Sequence, residues 1–152
     1  MEMAVKPPTS FLGVFPRDKI PLPHSMNHFP SCFIANTDNA NAPGEHWIAF
    51  WYDSPSDSEF FDSYGLPPFI YGFPSTCTSF NTKCLQSFTS NVFGQYCMYN
   101  LYLKSRGHLL SVIQKSFSVY NSEWNDRQVA RYAKKHFSVH SPLANSHYYC
   151  NQ

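Results

Sequence analysis

HWIAFWYD, residues 46–53, places Trp47, Ala49 and Trp51 on one face of an extended chain and Ile48, Phe50 and Tyr52 on the other. Both faces are apolar, so this segment reads as a strand covered on both sides, central in a sheet. Upstream, DNANAPGE (38–45) is a dense turn cluster, and CFIANT (32–37) before it is short, apolar and β-favouring. Downstream, Ser54–Ser58 is a turn and Glu59–Asp62 a third short strand, the spacing of an antiparallel hairpin.

Further out the pattern changes. Pro16, Pro21, Pro23 and Pro30 make 11–29 an irregular extended crossing of the surface. Tyr64–Pro68 breaks the sheet, 69–79 reads as a short helix or a loop, and 84–87 has the composition of another short strand. Ser90-Asn91 is a capping signal for a helix over 93–104, with Phe93, Cys97 and Leu101 on one stripe, Met98 and Tyr102 beside it, and Gly107 as its stop. Leu109, Leu110, Ile113 and Phe117 predict a second helix over 108–117. Val129, Ala133 and Phe137 predict a third over 126–137, capped by Asn125 or Ser122, with Arg127, Arg131, Lys134 and Lys135 outward. Strands followed by helices give an α+β class: a small antiparallel sheet packed with helices.

The chain has 152 residues, of which 43% are hydrophobic, 18% aromatic and only 14% charged, enough for one packed domain and too apolar for disorder. That domain is expected over 11–137, with 1–10 as a flexible lead-in and 138–152 as a loose polar tail. A net charge of +1 gives weak support for a nucleic-acid partner and none for a membrane. No run approaches the roughly 20 apolar residues of a membrane helix, and Glu2, Lys6, Pro7 and Pro8 interrupt any signal-peptide core. Five cysteines without a CxxC pair point to a reducing compartment, cytoplasmic or nuclear rather than secreted. His24/His28 and His136/His140 have metal-like spacing without further ligands, so no metal and no cofactor is expected.

Three segments carry a resemblance: GEHWIAFWYD (44–53), FFDSYGLPP (60–68) and LQSFTSNVFGQYCMY (85–99). They resemble the adenain-like cysteine peptidases of adenoviruses and large DNA transposons, and more distantly the SUMO-type deconjugating proteases. SFLGVFPRDKIP (10–21) and WNDRQVARYAKKHF (124–137) extend the likeness over roughly 10–137. The resemblance implies a papain-like core of the adenain type. It implies that His46 stands for the general base, Asp62 for the acid that orients it, and Gln86 for the glutamine whose amide donates to the oxyanion. The family's Cys-Gly-x-Tyr/Phe-Cys is here Phe93-Gly94-Gln95-Tyr96-Cys97, so Phe93 occupies the nucleophile's place and Cys97 that of the second, non-catalytic cysteine.

A phenyl ring cannot attack a carbonyl, so the expectation is an inactive pseudo-peptidase of transposon or viral origin, either decayed or reused to hold a peptide. Its partner is then a polypeptide substrate or peptide ligand. The rival is an active cysteine endopeptidase or isopeptidase processing viral or transposon proteins, in which another thiol serves. Cys97, one turn into the helix on a buried stripe, is expected to be inert. A DNA-associated accessory role is a third reading.

Overall fold

The structure is a computed structural model that describes residues 8–74 and 77–137. The expected polar tail, with His140 and Cys150, and most of the expected lead-in lie outside the described residues.

Five strands form one sheet in chain order: β1 (Ser10–Phe15), β2 (Ser31–Asn36), β3 (Trp47–Ser54), β4 (Asp57–Phe61) and β5 (Ser79–Phe80). β2, β3 and β4 are an antiparallel meander, with Ile34 opposite Ala49 and Ala49 opposite Phe61. The two edges are parallel, β1 to β2 and β4 to β5. The sheet is therefore mixed, not antiparallel as expected. The reason lies in the connections. Ten residues (37–46) join β2 to β3 and two (55–56) join β3 to β4, whereas fifteen residues (16–30) separate β1 from β2 and seventeen (62–78) separate β4 from β5. Connections of a dozen or more residues allow a crossover that returns the chain in the same direction.

Two further expectations change. Residues 10–15, read as irregular, form edge strand β1, so Ser10 belongs to the sheet rather than to a lead-in. The strand expected at 84–87 is absent; Leu85 and Gln86 instead donate their N–H groups to the carbonyl of Ser63, and β5 forms at 79–80.

β3 is buried on both faces, as HWIAFWYD predicts. Ala49 and Trp51 join Cys32, Ile34 and Phe61 in a core closed by the helices. Ile48, Phe50 and Tyr52 join Phe33, Phe60, Phe73 and Met26 in a second core on the opposite face. There Phe33 stacks on Phe50 at 4.8 Å and Phe50 meets Phe60 at 5.2 Å. Each fully buried Phe contributes about 1.5–3 kcal/mol by leaving water. This second face is covered by the proline-rich crossing and by the segment around the 3-10 turn Pro68–Tyr71, not by α-helices.

The helices are α1 (Phe93–Ser105), α2 (Leu110–Lys115) and α3 (Ser122–His136). α1 has Val92 at its N-cap with no side-chain cap, not the expected Ser90-Asn91. Ser90 Oγ donates to the carbonyl of Ser87 and accepts from the Gln86 amide. Cys97, Met98 and Leu101 are buried as the stripe predicts, and Gly107, at φ 90°, follows the helix end. α2 is shorter than expected, and Leu109 stands 62% exposed just before it instead of packing inward. α3 begins a turn earlier than expected. Asn121 caps it by accepting from Trp124 N–H at 2.9 Å; of the two expected caps, Ser122 is the first helical residue and Asn125 is buried and donates to the carbonyls of Leu85 and Ser118. Val129, Ala133 and Phe137 face the core, and Arg127, Arg131, Lys134 and Lys135 face solvent.

Candidate active site around His46 and Asp62

The β3–β4 register decides where the site forms. His46 immediately precedes β3 and Asp62 immediately follows β4, so pairing the two strands sets these ends side by side. His46 Nε2 lies 2.6 Å from Asp62 Oδ1, with His46 6% exposed and Asp62 fully buried.

Asp62 is held from every side. Its Oδ1 also accepts the Tyr64 N–H at 3.0 Å, and its Oδ2 accepts the Leu66 N–H and the Tyr71 hydroxyl, each at 2.9 Å. Burial and the Asp62 charge push the Tyr71 hydroxyl's pKa up, which keeps it a donor. Two backbone N–H groups require acceptors, so the Asp62 carboxylate accepts and the proton shared with the imidazole sits on Nε2. Nδ1 is buried with no hydrogen-bond partner. Asn81 clamps the backbone of Asp62, accepting its N–H at 2.8 Å and donating to its carbonyl. Gly65 (φ 72°) permits the tight turn after Asp62; a Cβ there would stand 2.6 Å from the Lys83 carbonyl.

Phe93 is the first residue of α1, and its ring lies perpendicular to the imidazole, 4.8 Å between centroids. The other walls are aromatic too. Tyr64 stacks on His46 at 4.8 Å, Tyr71 leans over it at 5.6 Å, and Phe88 stacks on the outer side of Tyr64 at 5.2 Å.

Gln86 is buried close by, tied to the residue after Asp62. Its Oε1 accepts the Ser63 hydroxyl at 2.6 Å, and its Nε2 donates to the carbonyl and hydroxyl of Ser90 at 3.0 and 3.2 Å. Both amide protons are engaged by the loop before α1, so in this conformation the group braces that loop and is not directed at an oxyanion.

Of the residues singled out in the sequence, His46, Asp62 and Phe93 meet directly, and Gln86 joins them through Ser63. Tyr71, Asn81 and Phe88 were missed. Tyr71 and Asn81 reach Asp62 from 9 and 19 residues away, and neither stands in a motif that announces it. Among the described residues every thiol, Cys32, Cys77, Cys84 and Cys97, has its pKa raised, first by burial, which disfavours the thiolate. Burial pushes Cys97 well above the usual thiol range, with the Asp62 carboxylate raising it further, and pushes Cys32 up to about 12. Cys84 is exposed, yet partial burial and then Asp62 raise its pKa as well. Among the described residues no group of three His, Cys, Asp or Glu side chains is placed to hold a metal ion, and no helix is long and apolar enough to cross a membrane. No protein-family model matches the chain, and no curated protein matches it.

Proposed function

We propose that this protein is a pseudo-peptidase: a papain-like domain of the adenain type, of viral or transposon origin, that keeps the base and its orienting acid and has lost the nucleophile. One observation carries the reading. A His–Asp pair at 2.6 Å presents a free, buried imidazole nitrogen, and the first residue of the adjacent helix, where a thiolate gains most from the helix dipole, is a phenylalanine packed on that imidazole. Without a nucleophile, catalysis falls to what binding and oxyanion donors supply, about 10³–10⁴ over water in a serine-protease precedent. The retained capacity is to hold a polypeptide. The segments 63–82 and 84–103, which supply Tyr64, Tyr71, Phe88 and Phe93, carry no Asp, Glu, Lys or Arg, which favours an uncharged stretch of chain. The cysteines and the weak charge favour a cytoplasmic or nuclear setting.

The test is labelling by a cysteine-directed peptidase probe, comparing the natural protein with Phe93→Cys. The expected result is labelling of Phe93→Cys alone, at residue 93, and its loss on adding His46→Ala. Specific labelling and peptide cleavage by the natural protein would replace this reading with that of an active peptidase using another thiol.

A further inference from the structure

The net charge of +1 conceals a division. Residues 8–103 hold three Lys or Arg and seven Asp or Glu, a net of −4, whereas residues 104–137 hold seven and two, a net of +5. Within the second set, the cations are not scattered. Arg127, Arg131, Lys134 and Lys135 recur at helical spacing along the solvent face of α3, against one exposed acid, Glu123, which lies 4.0 Å from Arg127 and is paired too loosely to neutralise the stripe. Lys104, by contrast, is buried against Glu59 and takes no part.

A solvated helix face accounts for the cations but not for what precedes them. Val119 is 49% exposed, Tyr120 97% and Trp124 40%; the first two immediately precede the Asn121 cap, and Trp124 lies in the first turn of α3. Isolated exposed apolar residues are ordinary. Here an aliphatic, a phenol and an indole sit together at one end of a cationic stripe. From Trp124 to Lys135 the stripe runs about 17 Å along the helix.

We propose that this face of α3 is a peripheral docking surface for an anionic lipid bilayer. The helix lies along the headgroup plane, its four cations against lipid phosphates and carboxylates, with Val119, Tyr120 and Trp124 entering the interface as the anchor. The separation of apolar end from cationic stripe decides between anionic partners. A single-stranded nucleic acid is bound by aromatic rings interleaved with cations along the strand, and Val119 offers nothing to a base. The net charge argued against such a surface only because it averages the two halves of the chain.

The experiment is co-sedimentation of the full chain with phosphatidylcholine vesicles, alone or with phosphatidylserine at roughly 2:1, a composition that gives a negative surface. Binding is expected to the mixed vesicles only, weakening as salt is raised through the range where the Debye length falls below about 10 Å. Lys134→Ser with Lys135→Ser, both exposed positions, should lower partitioning about thirtyfold, at roughly one cation's contribution each. Tyr120→Ser with Trp124→Ser should also lower it, with an unchanged far-UV spectrum. Trp124 emission should shift blue on the mixed vesicles, and the shift should vanish in Trp124→Phe. No sedimentation with mixed vesicles, equal sedimentation with neutral ones, or indifference to either pair of substitutions overturns the proposal. Tighter binding to a single-stranded oligonucleotide at equal phosphate concentration overturns it as well, in favour of a nucleic-acid surface.

Discussion

The Phe93 ring stands perpendicular to the His46 imidazole, with centroids 4.8 Å apart, while Nε2 of that imidazole is bound to Asp62 at 2.6 Å. The imidazole is thus both hydrogen-bonded by a carboxylate and packed against a phenyl ring. Asp62 accepts from four donors, His46, Tyr64, Leu66 and Tyr71; on the proposed reading this separates loss of one reacting atom from loss of the whole site.

If only residue 93 is missing, Phe93→Cys should acquire a reactive thiol whose rate depends on the brace at Gln86. Removing the Ser90 hydroxyl releases one of the two contacts that hold the Gln86 amide. Ser90→Ala in the Phe93→Cys background is expected to raise the single-turnover acylation rate roughly tenfold, part of what a full oxyanion donor supplies. An unchanged rate would place Gln86 outside any oxyanion hole.

Asn81 should matter more to folding than its loop position suggests. Asn81→Ala leaves the buried N–H and carbonyl of Asp62 without their side-chain partner. The expected loss is about 3 kcal/mol, at roughly 1–3 kcal/mol for each buried group left unpaired. Urea unfolding measures it, and a loss under about 1 kcal/mol would mean that water replaces the clamp.

Lys104 and Glu59 form an ion pair at 2.8 Å with the Lys104 side chain buried and its ammonium 5.2 Å from the Trp51 ring. Lys104→Ala strands a partly buried carboxylate and should destabilise by about 2–3 kcal/mol, below the range for fully buried pairs because Glu59 retains some solvent. Lys104→Met combined with Glu59→Gln should recover most of that. A double-mutant cycle with no coupling would show that the pair is ornamental.

Stability should fall on the alkaline side. The Cys32 thiol is raised from 9.0 to about 12 by burial, so below pH 9 it is protonated in both folded and unfolded chains and its contribution is intact. Above pH 9 the unfolded chain loses that proton first, and stability declines until the folded thiol also ionises, by up to about 4 kcal/mol for a three-unit shift. Denaturation midpoints at pH 7, 9 and 10.5 should fall across the last interval, and less steeply in Cys32→Ala. Thiol-reactive reagents on the native protein should reach Cys84 and spare Cys32 and Cys97.

How much of this was legible varied with the range of the interaction. HWIAFWYD announced a strand covered on both faces because burial on two sides leaves no polar alternation, and residues 48–52 are buried as it predicts. The stripe of Cys97 and Leu101 and the inward Val129 and Ala133 were legible for the same local reason. The caps were misread because Ser90, Asn91 and Asn125 are all good capping types. Which one caps depends on where else each can bond: Asn125 finds the carbonyls of Leu85 and Ser118, and Ser90 finds Gln86 and Ser87.

The amino-acid sequence by itself determined the alternation that makes β3 central, the α+β order of elements, and a side chain without a nucleophilic atom at residue 93. Each follows from local side-chain chemistry read along the chain. Only the tertiary structure decided that β1 and β5 run parallel to their neighbours, that Tyr71 and Asn81 lock Asp62, that Gln86 is bonded to Ser90, and that Val119, Tyr120 and Trp124 stay exposed ahead of the α3 cations. Those outcomes depend on which groups meet across connections of many residues, where hydrogen bonds and buried area compete globally and no local pattern records the winner.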